Sequence, residues 1–337
     1  MSLSTLSATY LPVVEAELQH QVERLNEPLY APFHEMLTYH MGWTGEGAGP
    51  EATGKRIRPL LVLLTCDASK GDWLCATPAA AAIELIHNFS LVHDDIQDNS
   101  DKRRGRPTVW KIWGMPIGIN VGDALFVIAH QALFDLSKHH SPETVLQAGR
   151  IFHQACLDLT KGQYLDLSYE TRTDLQESDY WAMIAGKTAA LISASTQIGA
   201  LLGGSSPDLQ EAYRDFGHYL GLAFQIQDDI LGIWGNEALT GKSAASDLLE
   251  GKKSLPVLYG LRHGGLFAKR WLEGPIYPEE VAALAEELAR EGARLKAQEA
   301  ADRMTELALQ SLRRADPQGE AGEALFELAG RLLGRQS

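Results

Sequence analysis

Cysteine is scarce in this chain: only Cys66, Cys75 and Cys156 occur among 337 residues, and no two of them have CxxC spacing. Such a small and odd number excludes a disulfide framework and the usual cysteine-rich zinc motifs. The N-terminus lacks the basic and then apolar pattern of a secretory signal, and no apolar run approaches the ~18 residues that a membrane-spanning helix needs. We therefore expect free thiols in a cytoplasmic protein without a membrane span.

Positive charge is in deficit. Thirty Lys and Arg residues stand against 44 Asp and Glu residues, which gives a formal net charge of −14 and a pI near 5.2. A field of this sign repels polyanions at long range, which argues against nucleic acid as a partner and against basic membrane anchoring. Any anionic ligand must therefore be bound by a local group of basic residues or by a metal ion.

Strand patterns, in which β-branched residues alternate with polar ones, are nearly absent. Apolar residues instead recur with helical spacing, as Val281, Leu284 and Leu288 do between Glu and Arg residues. Breaks rich in Gly and Pro occur at residues 45–50, 203–207, 264–278 and 317–322. None of them is long enough for a flexible linker between domains. The sequence therefore predicts an all-α fold that forms one large domain over residues 1–337.

Two pairs of adjacent aspartates close helices that are otherwise typical of a core. Asp94 and Asp95 form the first pair, with Asp98 one turn further on, and Asp228 and Asp229 form the second. The carboxylates of Asp94 and Asp98 project from one helix face, where like charges are destabilising unless a cation lies between them. A single cluster could be a solvated helix end. Two such clusters suit hard cations, in particular Mg²⁺, which binds one or two carboxylates together with substrate phosphates.

Basic residues are concentrated near these aspartates despite the acidic total. They occur in the segments Lys55-Arg-Ile-Arg58 and Lys102-Arg-Arg-Gly-Arg106, and at Lys187, Lys242 and Lys252-Lys253. Each residue alone could be a solvated charge. Arginine binds phosphate oxygens as a bidentate fork, and lysine binds them as a point charge. The combination predicts a protein that binds two polyphosphates, one through a metal ion and one directly.

At this point the chain resembles the trans-isoprenyl diphosphate (polyprenyl) synthases, over roughly residues 50–260. The resemblance rests on ordered segments: Gly54-Lys-Arg-Ile-Arg-Pro59, Leu91-Val-His-Asp-Asp-Ile-Gln-Asp98, Arg103-Arg-Gly-Arg-Pro-Thr108, Gly122-Asp-Ala-Leu-Phe126, Gly162-Gln163, Gly186-Lys-Thr-Ala189, Gln225-Ile-Gln-Asp-Asp229, Thr240-Gly-Lys242 and Lys252-Lys-Ser-Leu-Pro256. It implies a helical bundle of the isoprenoid-synthase type with a central active-site cavity, and a homodimer. It also implies a prenyltransferase that condenses isopentenyl diphosphate with dimethylallyl, geranyl or farnesyl diphosphate.

The resemblance further implies a role for each motif residue. Two Mg²⁺ ions would be bound by Asp94 and Asp98 and a third by Asp228, with Asp95, Asp229 and Asp247 in support. The allylic diphosphate would be held by Arg103, Lys187, Lys242 and Lys252. Isopentenyl diphosphate would be held by Lys55, Arg58, His87 and Arg104. The side-chain oxygens of Thr188 and Gln225 would face the developing carbocation, as fixed dipoles in a dry cavity can stabilise charge without reorganising.

One position departs from the family pattern, and two others bear on product length. Gly232 stands where the second aspartate motif of the family has a third aspartate. Phe89 and Ser90 lie five and four residues before Asp94. An aromatic residue followed by a small one resembles the short-chain members that make geranylgeranyl diphosphate, although Phe89 could equally be an ordinary core aromatic.

Three alternatives remain open from the sequence. The product could be farnesyl diphosphate or a longer prenyl diphosphate. The chain could be a divergent class I terpene cyclase, although a cyclase needs no second diphosphate site. It could also be a noncatalytic subunit of a partner synthase, although all three aspartates of the first motif are present.

Overall fold

The computed structural model describes residues 2–235 and 246–334, and almost all of them are helical. The α-helices are α1 (Leu3–Val22), α2 (Ala31–His40), α3 (Pro50–Thr53), α4 (Ile57–Ala68), α5 (Thr77–Gln97), α6 (Val109–Trp113), α7 (Met115–Phe134), α8 (Pro142–Tyr169), α9 (Glu177–Ile184), α10 (Ala190–Leu202), α11 (Pro207–Trp234), α12 (Ser246–Leu249), α13 (Leu255–His263), α14 (Leu266–Leu272), α15 (Val281–Arg290), α16 (Ala293–Arg314) and α17 (Gly319–Leu333). Short 3₁₀ turns occur at Glu23–Leu25, Pro28–Tyr30, Trp73–Ala76 and Asp135–Lys138, and a π-helical turn, Ala185–Ala189, follows α9. The predicted all-α fold is confirmed.

The chain divides into two compact units. The first unit contains residues 2–153, 194–210 and 316–325, and the second contains the described residues of 154–193, 211–315 and 326–334. The single domain that the sequence predicts over residues 1–337 stays a prediction.

Helix α5 is a central element of the first unit. A proline in its first turn, Pro78, needs no backbone donor, and the helix then continues without Gly or Pro to Gln97. The alanines at its start are fully buried, so neighbouring helices approach closely. Helix α7 packs against α5, and at Gly122 a Cβ atom would lie 2.3 Å from the ring of His93. Only glycine permits this contact, which places the end of α5 beside α7.

A two-residue hairpin in the first unit carries three of the arginines noted above. Strand β1 (Lys102–Arg103) pairs antiparallel with β2 (Arg106–Pro107), and Arg104 and Gly105 both have positive φ, of 51° and 76°. Two consecutive residues of positive φ are typical of a type I′ turn. The Arg106 guanidinium anchors the hairpin by donating to the backbone carbonyl oxygens of Tyr39, Thr44 and Glu46, at 2.7–2.9 Å.

Helix α11 lies in the core of the second unit. Its residues Leu222, Ile226 and Ile230 recur every four positions on one buried face, together with Tyr180 of α9 and side chains of α13 and α16. This stripe fixes the rotation of the helix about its axis. As a result Asp229 is buried, whereas Asp228 is exposed.

Two helical segments have the length and composition of a membrane span, which the sequence analysis did not expect. They are Trp73–Gln97, with a mean hydropathy of 1.2, and Met115–Lys138, with 1.4. The expectation that no apolar segment is long enough is therefore wrong. In the first segment 72% of the apolar window is buried inside the protein, as in an ordinary core helix, and in the second 44% is buried. Two such helices are weak support for membrane insertion.

Candidate active site

The first acidic cluster, Asp94, Asp95 and Asp98, closes α5. Asp98 is the C-cap residue of this helix, and its backbone N–H donates to the carbonyl oxygen of Asp94 at 2.8 Å. Asp94 is half-buried and Asp98 is exposed. Carboxylates at a helix C-terminus meet the negative end of the helix dipole, so this arrangement is electrostatically unfavourable without a cation.

Asp95 differs from its two neighbours, because it faces the interior. Its side chain is almost fully buried, and its Oδ1 accepts a hydrogen bond from Arg103 Nε at 2.8 Å. Burial raises the pKa of Asp95 to about 6, against the opposing effect of Arg103. Asp95 therefore positions Arg103 of the hairpin, and the supporting role toward metal that the resemblance implies for Asp95 stays a prediction.

The residues expected to bind isopentenyl diphosphate also lie in the first unit. Arg58 Nη1 is 3.4 Å from His87 Nε2. Burial has the largest effect on His87 and lowers its pKa well below the usual value, and the positive charge of Arg58 acts in the same direction. Arg104 Nη1 donates to the carbonyl oxygen of Ala52 at 2.7 Å. Lys55 is exposed. The structure thus brings Arg58 and His87 into contact, and the field of Arg104 also reaches His87.

Gly54 makes room for Arg104. A Cβ atom on Gly54 would lie 2.6 Å from a guanidinium nitrogen of Arg104, and the backbone φ of Gly54 is +81°. Both the space and the left-handed backbone require glycine. The Gly-Lys-Arg segment therefore has a structural reason for its glycine, next to the basic residues that follow it.

Two other arginines of the basic segments have structural roles. The buried Arg56 donates to Glu84 Oε1 at 2.9 Å and to Glu15 Oε2 at 3.1 Å. Arg106 is used by the backbone contacts of the hairpin described above. The composition of the two motifs does not separate these arginines from Arg58 and Arg104, whereas the family resemblance implied a binding role only for the latter two.

His40, the last residue of α2, was missed by the sequence analysis. Its Nε2 atom is buried and has no hydrogen-bond partner. Burial and, to a smaller extent, the positive charges of Arg103, Arg104 and Arg56 lower the pKa of His40 to about 3. No motif contains this histidine, so nothing in the sequence pointed to it.

The second acidic cluster, Asp228 and Asp229, lies in the second unit on α11. Asp228 is exposed. Asp229 Oδ2 accepts from the Tyr180 hydroxyl at 2.6 Å and from the Leu255 backbone N–H at 3.3 Å. Burial raises the pKa of Asp229 to about 7. The two neighbouring aspartates thus divide into one exposed carboxylate and one that is held inside a hydrogen-bond network.

The same network includes both residues that the resemblance places next to the carbocation, Thr188 and Gln225. The Thr188 hydroxyl donates to Gln225 Oε1 at 2.6 Å, and Gln225 Nε2 donates to Asp229 Oδ1 at 2.9 Å. Thr188 and Lys187 both belong to the π-helical turn, a feature that often marks functional sites. Lys187 forms an ion pair with Asp166. The structure therefore connects Thr188 to Gln225 and fixes the orientation of both side chains.

Asp247 occupies the space that the missing side chain at Gly232 would take. A Cβ atom on Gly232 would lie 2.2 Å from Asp247 Oδ2. Asp247 is buried, and its Oδ1 is 3.5 Å from Lys252 Nζ. A carboxylate from α12 is therefore present where the family motif has one on α11. Lys242 lies outside the described residues.

The carboxylates fit Mg²⁺ in their chemistry. Within residues 2–235 and 246–334, no three Asp, Glu, His or Cys side chains form a preassembled metal site. Mg²⁺ does not need one, because it is usually bound by one or two carboxylates, by water and by phosphate oxygens of the substrate. Asp94, Asp98 and Asp228 could supply such oxygens, since none of the three is buried.

Carboxylates at a helix end with arginines beside them suit the binding of diphosphates through Mg²⁺. The polyprenyl synthetase family model matches residues 49–275. The chain is 38% identical over 335 residues to the (2E,6E)-farnesyl diphosphate synthase of Mycobacterium tuberculosis, covering 96% of this chain and 91% of that protein. It is 41% identical over 246 residues to the geranylgeranyl diphosphate synthase of the same organism, covering 72% of this chain and 68% of that protein.

A solved structure extends this comparison to the whole chain. The geranylgeranyl pyrophosphate synthase of Corynebacterium glutamicum, complexed with isoprenyl diphosphate and magnesium, has a TM-score of 0.86 and 26% identity, and each chain is covered completely (100%). The chain belongs to the polyprenyl synthetase family, with the isoprenoid-synthase fold, and is a trans-isoprenyl diphosphate synthase of the short-chain type. It is therefore a prenyltransferase, of a family that uses isopentenyl and allylic diphosphates together with Mg²⁺.

Proposed function

We propose that this chain elongates an allylic diphosphate by condensing it with isopentenyl diphosphate, and that the product is geranylgeranyl diphosphate. The proposal is carried by one observation: the first unit contains both an acidic cluster suited to Mg²⁺ and a separate group of cationic side chains. Asp94 and Asp98 belong to the former, and Arg58, His87 and Arg104 to the latter. Two binding sites for diphosphate favour condensation, because a terpene cyclase requires only one.

The metal-dependent binding site would hold the leaving diphosphate. Asp94 and Asp98 would hold Mg²⁺, which when bound neutralises the charge of the leaving diphosphate. Arg103, oriented by Asp95, contributes a guanidinium to the same diphosphate. Asp228 would hold a further Mg²⁺ ion, so that the site contains three, with Asp229 and Asp247 in support.

Further groups are proposed to bind and polarise the allylic substrate. Lys187, Lys242 and Lys252 supply positive charge to its diphosphate. Because the Thr188 hydroxyl gives its hydrogen to Gln225, the lone pairs of the Thr188 oxygen remain available to stabilise the allylic cation. The double bond of isopentenyl diphosphate attacks this cation, and a proton leaves the adduct. Lys55, Arg58, His87 and Arg104 hold isopentenyl diphosphate during this step.

The test of the function is an assay with dimethylallyl, geranyl and farnesyl diphosphate, each with labelled isopentenyl diphosphate, with Mg²⁺ and with a chelator. Condensation yields labelled prenyl diphosphates that grow by one isoprene unit at a time, and the chelator abolishes them. A labelled-primer hydrocarbon or alcohol without incorporation of isopentenyl diphosphate would instead identify a cyclase. Turnover only after addition of a partner synthase would identify a noncatalytic subunit.

Product length is proposed to depend on Phe89 and Ser90. The Phe89 ring contacts His93, with ring centroids 4.8 Å apart, and Phe126 of α7, with centroids 5.1 Å apart. This packing restricts the Phe89 side chain, and Ser90 adds little volume beside it. An aromatic residue fixed in this way can end the space for a growing prenyl chain.

Phe89→Ala is expected to lengthen the main product by at least one isoprene unit, because the substitution removes the ring without charging the site. Chromatography of the dephosphorylated products measures the shift. Leu272→Ala on α14 is the control, because Leu272 is 69% exposed and its removal should leave the distribution unchanged. An unaltered product in Phe89→Ala would show that Phe89 is an ordinary packing residue.

We further propose that the protein is a cytoplasmic homodimer, since the family resemblance implies a homodimer. The apolar side chains of Ile119, Val127 and Phe134 on α7 are exposed in a single chain and could be covered by a second copy.

A further inference from the structure

We propose that His40 is a further residue of the isopentenyl diphosphate site, and that its Nε2 atom forms a hydrogen bond with the diphosphate. This inference rests on the proposed function, because it requires a diphosphate among the cationic side chains of the first unit. It extends that function, since the family resemblance assigns no residue before Lys55 to either substrate.

The position of His40 is fixed by the residues on both sides of it. The carbonyl oxygen of Tyr39 accepts from Arg106 Nη1 at 2.8 Å, and the Arg106 guanidinium lies 3.9 Å from the centroid of the Tyr39 ring. The carbonyl oxygen of Met41 accepts from Arg56 Nη2 at 3.4 Å. The end of α2 is therefore attached both to the hairpin that carries Arg103 and Arg104 and to the segment that leads into Arg58.

One imidazole nitrogen of His40, Nε2, is buried and has no hydrogen-bond partner. The backbone of Asn88 acts on the ring and partly offsets the effect of burial on its pKa. Arg58 Nε is a second buried nitrogen without a hydrogen-bond partner, and it belongs to a residue already expected to bind isopentenyl diphosphate. Buried polar atoms in native proteins are nearly always satisfied, and an unpaired one needs a ligand or an ordered water.

The charges around His40 indicate an anion rather than a cation as this ligand. Arg103, Arg104 and Arg56 all act on the ring and, together with burial, keep it neutral in the free protein. A diphosphate offsets these positive charges and so favours a hydrogen on Nε2. The nitrogen then donates a charge-assisted hydrogen bond, which is the strong kind.

Two isosteric variants separate the binding role from a structural one. His40→Gln keeps a polar group near the position of Nε2, whereas His40→Asn keeps one only near the position of Nδ1. We expect His40→Asn to raise KM for isopentenyl diphosphate about tenfold, as for the loss of one hydrogen bond to a charged group, and His40→Gln to restore most of the affinity. KM for the allylic primer should change in neither variant.

His34→Gln and His34→Asn are the matched controls. His34 lies on the same helix and its Nε2 also lacks a hydrogen-bond partner, but it is 3.4 Å from Glu23 Oε1 rather than among arginines. Neither control should change KM for isopentenyl diphosphate. If His40→Asn keeps the wild-type KM, or if Asn restores affinity better than Gln, the histidine is a packing residue and the proposal is wrong.

A direct measurement on the wild-type protein covers the case in which one of the two His40 variants folds poorly. The measurement is the NMR spectrum of protein labelled with ¹⁵N-histidine. The Nε2 signal of His40 is assigned as the one that is absent from the spectrum of His40→Gln or of His40→Asn. This signal should shift when isopentenyl diphosphate is added. Titration with inorganic pyrophosphate shows whether the diphosphate alone is sufficient. A signal that does not move while isopentenyl diphosphate binds would refute the role of His40. A wild-type protein that neither binds nor condenses isopentenyl diphosphate would instead refute the proposed function.

Discussion

Asp94→Asn is expected to lower kcat by about a thousandfold, since a metal-bound leaving group accounts for several kcal/mol of transition-state stabilisation. The same substitution should not weaken the fold. It removes one of the like charges at the C-terminal end of α5, where they oppose both each other and the helix dipole, so the melting temperature should stay constant or rise slightly. Loss of activity without loss of stability identifies a carboxylate that serves the ligand. Steady-state kinetics across a Mg²⁺ titration and thermal unfolding measure both quantities.

Asp101→Asn is the control for this prediction. Asp101 lies three residues beyond Asp98, and its exposed carboxylate pairs with Lys111 at 2.9 Å. Its removal changes the net charge by the same amount and should alter kcat by less than about twofold, because exposed ion pairs contribute little. Equal activity of Asp94→Asn and Asp101→Asn would exclude Asp94 from metal binding.

Gly162→Ala is expected to displace the π-helical turn that carries Lys187 and Thr188. A Cβ atom at residue 162 would lie 2.0 Å from the backbone nitrogen of Lys187 and 2.5 Å from the carbonyl carbon of Gly186. Both contacts are with backbone, so the π-helical turn must move. Overpacking of this kind costs about 3 kcal/mol in the free energy of unfolding. A displacement of Lys187 and Thr188 by about 1 Å can reduce kcat about a hundredfold.

Gly149→Ala on the same helix, α8, tests whether the effect depends on place. No atom lies within 4 Å of a Cβ built at Gly149. Alanine there should raise the free energy of unfolding by about 0.5–1 kcal/mol, because glycine is a poor helix former, and leave kcat unchanged. Denaturant unfolding and kinetics of the two variants make the comparison. A Gly162→Ala protein with wild-type stability and kcat would mean that the close crossing is not required.

Much of the site could be predicted because its chemistry depends on residue types at short spacings. Asp94 and Asp98 are one turn apart on a helix, so their common face follows from local geometry alone. The family resemblance likewise implied Arg58, His87 and Arg104, of which the first two are in contact. The sequence alone shows that Gly232 replaces the third aspartate of the second motif. Its consequence was not predictable, because Asp247, which fills the space, is fifteen residues away along the chain.

The sequence by itself determined the all-helical fold, the family and the residue types that can hold Mg²⁺ and diphosphate, since helical periodicity and ordered motifs are local properties. The tertiary structure decided which members of each motif are buried and which are exposed. It turned the buried Asp95 toward Arg103 and left Asp94 half-buried, and it placed Arg56 beside the carboxylates of Glu84 and Glu15. It also left the Nε2 atom of His40 unpaired beside the arginines. Burial and hydrogen-bond partners arise from contacts between residues distant in the chain, so no local pattern records them.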